Sequence, residues 1–357
     1  MKFIHTADLH LDSKMEGMPT EKSKIRREEV LEAFERLCEY ASKNQVTAVI
    51  IAGDMFDTAK VTIRTRDRVL HAIKADKKVD YLYLSGNHDD DNFLSKIEEL
   101  PENLKVFTDQ WTSFTYDNVV ISGATLNGLN NTAIFETQNH NEEKVNIVVL
   151  HGQVAGYNSK ETAEVIPLPK FKDKNIDYLA LGHIHTAVME KLDNRGVYAY
   201  CGCLEGRGFD ETGDKGFILL DIEDKKVSPR FIKFSTRNLY EHEFNIEGYP
   251  DYLTARDQLL EDLKCYSLNS LIKVVLKGEH TTDFIIDKEQ LTRKLNDEFF
   301  FAKIKDKTIL KVNVDDYSLD KSVRGEFVRA VWESDLSEEE KSKVIIKGLQ
   351  ALKGERI

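Results

Sequence analysis

The sequence predicts a layered α/β domain over the first two thirds of the chain, then a small α+β module and a terminal pair of helices. Three observations lead there. Strand-sized apolar runs alternate with helical patterns from Lys2 onward. Metal-ligand residue types stand at the carboxyl ends of five of those runs. The character of the chain then changes near Phe234 to Asn245. A chain of 357 residues also exceeds the roughly 250–300 residues at which a single core stops growing, so more than one domain is expected.

The elements follow in order. Lys2 to Ala7 and Val46 to Ala52 read as buried strands that end in acidic residues. Between them, Ile25, Val30, Leu31, Phe34, Leu37 and Cys38 keep a helical period over Lys24 to Asn44. A second helix over Arg64 to Lys77 leads to the strand Tyr81 to Leu84, which stops at Ser85-Gly86-Asn87-His88-Asp89. Further strands are expected at Val119 to Gly123, Val145 to Leu150, Tyr178 to Leu181, Val197 to Tyr200 and Gly216 to Ile222. Little helix separates these, so the sheet is expected to become mixed or to split in two. Beyond the change of character, Tyr252 to Leu263 (helix), Leu271 to Leu276 (strand), Lys288 to Asn296 (helix) and Thr308 to Val314 (strand) form one compact module. The terminal helices are Val323 to Glu333 and Glu338 to Leu352, with Ser337 and Glu340 spaced as a capping box. The expected boundaries are 1–235, 240–318 and 320–357.

Composition excludes several classes. Hydrophobic residues at 41% and charged residues at 31% exclude a disordered or collagen-like chain. The longest apolar runs, Ala48 to Ala52 and Ile147 to Leu150, fall far short of the roughly 20 residues a membrane helix needs. Asp8 interrupts the stretch a signal peptide would keep apolar, so a soluble, cytoplasmic protein is expected. Cys38, Cys201, Cys203 and Cys265 show no CxxC spacing and are expected as reduced thiols. A net charge of −12 argues against a polyanionic partner when taken alone. Bound divalent cations weaken that argument, because they add positive charge that no residue count records.

The chemistry is concentrated at the strand ends: Asp8-Leu9-His10, Gly53-Asp54 with Asp57, Gly86-Asn87-His88-Asp89, His151-Gly152 and Gly182-His183-Ile184-His185. Alpha/beta sheets build their sites at such ends. In extended chain, the two side chains of Asp-x-His or His-x-His share one side and are expected to converge. Carboxylates, an amide oxygen and imidazoles without thiolates suit manganese, iron or zinc. The seven candidate ligands Asp8, His10, Asp54, Asn87, His151, His183 and His185 are too many for one tetrahedral ion and suit two, with Asp54 as the natural bridge. His88 has the chemistry to protonate a departing alkoxide, with Asp89 to orient it. Each motif alone is more often a turn or an ordinary polar residue. Together they hold five of the ten histidines in an order that one sheet could gather. His5, His71, His140, His242 and His280 are read as ordinary polar or partly buried residues. Asp57 is read either as an orienting carboxylate or as part of a turn.

The series DLH, GDMFD, GNHD, HG and GHIH resembles the calcineurin-like metallophosphoesterase superfamily, and within it the SbcD- and YhaO-type exonucleases of DNA repair. The resemblance covers residues 1 to about 235. It implies a four-layer β-sandwich flanked by helices and a two-manganese centre. Asp8, His10, Asp54 and His185 would hold one ion, Asp54, Asn87, His151 and His183 the other, and His88 would be the catalytic histidine. Asp57 departs from the histidine found there in archaeal and eukaryotic relatives, and Cys203 from a small hydroxyl residue. Residues 240–318 match in position and size a capping domain that helps hold DNA. The terminal helices match in placement the segment that binds an SMC-like ATPase of the SbcC or YhaN type, and a homodimer is implied as well. Phe327, Val331 and Trp332 would form the docking stripe, unless the hairpin packs on its own module.

The metal motifs alone do not choose among phosphatases, cyclic-nucleotide phosphodiesterases and nucleases. Lys22, Lys24, Arg26 and Arg27, with Arg64, Arg66 and Arg68, would suit phosphate contacts at the rim. The alternative is that they form ion pairs with Glu28, Glu29 and Asp67 on the helix surface. The expected function is a manganese-dependent DNA exonuclease, with endonuclease activity left open, working with an ATPase in repair and recombination. Its rivals are a stand-alone phosphoesterase on small nucleotides or cyclic phosphodiesters and a non-catalytic scaffold.

Overall fold

A computed structural model describes the chain except residues 16, 58–60, 90–92, 95, 96, 98, 129, 137–139, 156–163, 282, 283, 312, 313 and 353–357. It divides into two compact units, Met1–Leu239 and Tyr240–Ile357.

The first unit opens with β1 (Lys2–Thr6), α1 (Thr20–Lys43), β2 (Ala48–Ala52), α2 (Ile63–Lys74), β3 (Asp80–Leu84) and β4 (Leu104–Val106). It continues with β5 (Thr112–Tyr116), β6 (Val119–Gly123), α3 (Asn131–Glu136), β7 (Val145–His151), β8 (Gln153–Val154) and β9 (Val165–Ile166). It closes with β10 (Tyr178–Gly182), β11 (Val188–Lys191), β12 (Val197–Tyr200), β13 (Gly216–Glu223) and β14 (Lys226–Lys233). Twelve of the strands split into two mixed six-stranded sheets, ordered β14-β13-β1-β2-β3-β4 and β11-β12-β10-β7-β6-β5, and β8 and β9 pair separately. In the first, β1 to β4 run parallel; in the second, β6, β7, β10 and β12 do.

Each central strand reads as a continuous apolar run because both of its faces are covered. Between the sheets, Phe3, Ile50, Leu82 and Ile218 meet Ile121, Ile147, Val149 and Ala180. On its outer face the first sheet packs Ile4, Val49 and Ile51 against Leu31, Phe34 and Leu37 of α1 and Val69 and Ile73 of α2. The second sheet covers its outer face with Ile134 and Phe135 of α3 and with Phe171. The result is a helix, sheet, sheet, helix sandwich, as the expected fold class requires.

Several polar residues serve this architecture. His5, read above as at most partly buried, is fully enclosed between the sheets, with Nδ1 2.9 Å from the Tyr178 hydroxyl. Arg26 is also fully buried and so does not belong to a phosphate-binding rim. It donates to Glu29 at 2.5 Å, to Glu205 at 3.0 Å and to the Gly206 carbonyl at 2.7 Å. Arg64 and Arg68 pair with Glu28, Arg68 also with Glu35, Arg66 with Asp67 and Lys24 with Glu21. The ion-pair reading therefore describes most of both basic clusters. All four cysteines are free thiols, three of them buried.

The second unit comprises β15 (Leu239–Asn245), α4 (Tyr252–Asp262), β16 (Leu271–Lys277), β17 (Glu279–His280), α5 (Lys288–Glu298), β18 (Phe301–Asp306), β19 (Ile309–Leu310), α6 (Val323–Trp332) and α7 (Glu338–Leu352). Leu259 of α4 and Leu291 and Leu295 of α5 pack on Ile272 and Val274 of the β15-β16-β18 sheet. Of the strand expected over Thr308 to Val314 only Ile309–Leu310 forms, paired with β17 and not with the main sheet, and residues 312 and 313 lie outside the described residues. The strand paired with β16 is β18, earlier in the chain, while Val314–Tyr317 turns as a 3-10 helix. Phe301, Ala302 and Ile304 carry the burial that the later segment lacks. Helices α6 and α7 form a hairpin around Tyr317, Val328, Ile345 and Leu349, with Phe327 and Val331 packed against them. Two members of the expected docking stripe are thus used inside the hairpin. Trp332 stays 40% exposed and Val323 72%. The capping box forms: Ser337 N donates to Glu340 Oε2 at 3.0 Å.

Burial pulls the His5 pKa down to about 3. The folded state then refuses a proton that the unfolded state accepts, so stability present above pH 6.5 is lost as pH falls towards 3. His5→Phe removes this component. In urea unfolding, wild type should lose about 2 kcal/mol relative to the variant between pH 7.5 and pH 5; a constant difference would contradict the buried neutral imidazole.

Candidate metal centre

The parallel strands of both sheets end at one edge, and the segments that follow them carry the candidate residues. Asp8 and His10 follow β1, Asp54 and Asp57 follow β2, Asn87 to Asp89 follow β3, His151 ends β7, and His183 and His185 follow β10. Convergence does not come from extended alternation, as expected from the motifs. Asp8, His10, Asp54 and His183 have φ of +52°, +44°, +50° and +101°, a left-handed geometry that costs non-glycine residues energy and clusters at functional sites. Backbone bonds hold these turns: Asp8 N donates to Gly53 O and His10 N to Asp54 O, both at 3.0 Å. His183 N donates to Asp8 Oδ1 at 2.9 Å, which ties the two sheets together at the site. Gly53 has φ +92°, and a Cβ there would collide with the His151 ring.

Among the described residues three groups of side chains come together within 4.8 Å: Asp8, His10 and His185; Asp54, His151 and His183; and, sharing His10 with the first, His10, Asp57 and His88. Asn87 joins the second through Oδ1, 2.9 Å from His151 Nε2. Asp8 and His10 thus share a group as the motif suggested, whereas His183 and His185 diverge into different ones. Asp54 lies between the first two groups. Its Oδ1 accepts from His88 N at 2.9 Å, and its buried Oδ2 has no hydrogen-bond partner. That oxygen stands 3.3 Å from His151 Nε2 and 3.8 Å from His10 Nε2.

The imidazoles are oriented by their other nitrogens. His151 Nδ1 is 2.9 Å from the Ala52 carbonyl, His10 Nδ1 is 2.9 Å from Asp57 Oδ1, and His185 Nδ1 is 2.7 Å from Glu211 Oε1. A carbonyl or an ionised carboxylate only accepts, so each Nδ1 carries a proton and each Nε2 is turned inward, that of His151 towards Asn87 Oδ1 and Asp54 Oδ2, where a proton or a cation must stand between them. His10 Nε2 and His185 Nε2 then face each other at 3.1 Å, an arrangement that a proton or a cation must relieve. The lone pairs, the orphan Asp54 oxygen and the mixed oxygen and nitrogen donors fit a pair of divalent cations.

The electrostatics match a site short of positive charge. Burial, opposed by His185 and His151, raises the Asp8 pKa. Burial works the same way on Asp54, but the nearby histidines outweigh it and hold the carboxyl below its usual range. Burial lowers His151, yet Asp54 and Asp8 overcome it and lift the imidazole to about 9.

Asp89 does something other than orient His88. It is half-buried and accepts from Gly86 N at 2.9 Å, Phe56 N at 2.9 Å and Met55 N at 3.2 Å, pinning the loop after β3 to the loop after β2. Asp57 is the carboxylate near His88, 4.0 Å from its Nδ1 and beyond a hydrogen bond, while its orienting contact is the 2.9 Å one to His10 Nδ1. His88 is 26% exposed, and its ring lies 5.1 Å from that of His10. Glu211 and Arg207 escaped the sequence reading. They follow β12, where no motif pairs them with a strand end, and only their four-residue spacing could have hinted at a contact.

The calcineurin-like phosphoesterase profile matches residues 1–187. The chain is 25% identical over 339 residues to the DNA double-strand break repair protein Mre11 of Saccharolobus solfataricus, covering 89% of this chain and 86% of that one. It is 25% identical over 329 residues to the SbcD component of the SbcCD nuclease of Staphylococcus epidermidis, covering 82% and 83%. An uncharacterized metallophosphoesterase of Bacillus subtilis, YhaO, is 25% identical over 244 residues, covering 65% of this chain and 60% of that protein. With more than half of its length matched by the profile, and with the strand-end ligand types that such enzymes use, the chain belongs to the calcineurin-like phosphoesterase family.

Proposed function

We propose that this protein is a manganese-dependent DNA phosphodiesterase, an exonuclease that acts with an SMC-like ATPase in DNA repair and recombination. The observation that carries the reading is the Asp54 carboxylate, set between two donor groups on one edge of the sandwich. The choice of DNA over small phosphodiesters is supported by the relatives named as repair nucleases. The Mre11 relative aligns over 89% of the chain, more than the first unit contains, so the likeness extends into the second unit.

In this reading Asp8, His10, Asp54 and His185 hold one cation, and Asp54, Asn87, His151 and His183 the other. The bound pair supplies charge to the phosphodiester and a nucleophile at neutral pH. His88, 26% exposed and with Asp57 Oδ1 4.0 Å from its Nδ1, protonates the leaving oxygen. Asp89 fixes the two loops that place Asp54 and His88. Lys24, Arg27 and Arg64 line an open cleft of about 580 Å³ together with Asp12 and Glu28, where a phosphate would compete with Glu28 for Arg64. The exposed Val323 and Trp332 of the terminal hairpin leave apolar surface for a partner helix.

The purified chain with Mn²⁺ should degrade linear duplex DNA. Hydrolysis of bis(p-nitrophenyl) phosphate or cyclic nucleotides, with DNA left intact, would favour the small-substrate phosphoesterase instead. His88→Ala should lower the DNA rate about 10²- to 10⁴-fold while Mn²⁺ binding persists; an unchanged rate would remove His88 from the chemistry. Crystals soaked in manganese should show two anomalous peaks about 3.5–4 Å apart, flanking Asp54. Chelation should abolish both the peaks and DNA cleavage.

A further inference from the structure

The side chains that hold His10 and His185 belong to one network. Asp57 Oδ1 lies 2.9 Å from His10 Nδ1 and Glu211 Oε1 lies 2.7 Å from His185 Nδ1. Arg207 joins the two carboxylates. Its Nη1 donates to Asp57 Oδ1 at 2.9 Å, and its Nε and Nη2 donate to Glu211 Oε1 at 3.0 and 2.9 Å. Its backbone N–H donates to Glu211 Oε2 at 2.6 Å. The two histidines bring their Nε2 atoms to 3.1 Å, a gap that a shared proton or cation would close. Five residues from four chain segments are thus locked together, although neither Arg207 nor Glu211 belongs to a strand-end motif.

We propose that Arg207 is a positioning residue: by clamping Asp57 to Glu211 it holds the ring nitrogens of His10 and His185 on one cation position. This rests on the two-cation reading given above. The guanidinium suits the task because its planar fork serves two carboxylates at once and its charge is permanent. Without it, Asp57 and Glu211 would repel each other beside Asp8 and Asp54, and both imidazoles would lose a fixed partner. Arg207 is itself braced from the far side. The buried Arg26 of α1 grips the preceding residues through Glu205 Oε2 at 3.0 Å and the Gly206 carbonyl at 2.7 Å. Groups that orient metal-binding histidines typically change metal affinity 10- to 100-fold when removed.

The test is Mn²⁺ binding to the full chain, by calorimetry and electron paramagnetic resonance, for wild type, Arg207→Met, Arg207→Lys and Glu211→Gln. Wild type should bind two ions and give the spectrum of a coupled pair. Arg207→Met should weaken one of the two sites about 10- to 100-fold and give an uncoupled six-line spectrum at limiting metal, with circular dichroism of the metal-free fold unchanged. Arg207→Lys keeps the charge without the fork and should fall between them. If Arg207→Met does not fold, Arg207→Lys and Glu211→Gln carry the same readout. Two ions bound with wild-type constants in every folded variant would overturn the clamp alone. Fewer than two ions in wild type would overturn the two-cation reading and the clamp with it.

Discussion

Everything at the strand-end edge depends on where three imidazole protons go. Oxygen acceptors outside the centre, the Ala52 carbonyl, Asp57 and Glu211, take the Nδ1 protons of His151, His10 and His185. That turns the three Nε2 atoms inward, His10 towards His185 and His151 towards Asn87 Oδ1 and the buried Asp54 Oδ2. A pocket so rich in acceptors is unfavourable unless cations or protons enter it. The geometry therefore requires a positive ligand before any argument about reaction begins.

Holding such a pocket open takes a rigid frame. Four of the candidate ligands sit in left-handed backbone, at a cost of order 1–3 kcal/mol each. The two sheets over-determine those conformations. Their inner faces bury a continuous apolar layer, and the strand ends are cross-tied by Asp8 to His183 N and by Asp54 to His88 N. Asp89 adds three backbone N–H bonds that fasten neighbouring loops. The same sandwich that hides the hydrophobic residues thus keeps the strained turns from relaxing.

Much of this was legible in the sequence because it is local. A buried parallel strand reads as an apolar run, and a ligand at its end reads as a polar residue beside glycine, so β1, β2, β3, β7 and β10 and the residues after them could be found. What escaped is non-local. Arg207 reaches Asp57 across 150 positions, and no periodicity encodes that contact. Asp89 looked like a partner for its neighbour His88, yet its hydrogen bonds go to backbone N–H groups. Strand β14 was hidden by Pro229, which a strand tolerates at a sheet edge, where β14 lies. Arg26 looked like part of an exposed basic cluster. Its burial depends on Glu205, far along the chain.

The acidic balance of the chain takes on a different meaning once the site is placed. A net charge of −12 argues against a nucleic-acid partner only if charge is spread evenly and nothing binds. Asp8, Asp54, Asp57, Asp89 and Glu211 are gathered at this one edge, where their fields add in a low-dielectric setting. Two divalent cations there would add four positive charges where a phosphodiester must arrive, while the arginines of α1 and α2 are largely engaged by Glu28, Glu29 and Glu35. Attraction of a polyanion to this surface would then depend on metal loading more than on the basic residues. The four added charges would offset most of the five carboxylates gathered there, turning a strongly acidic edge into a nearly neutral one.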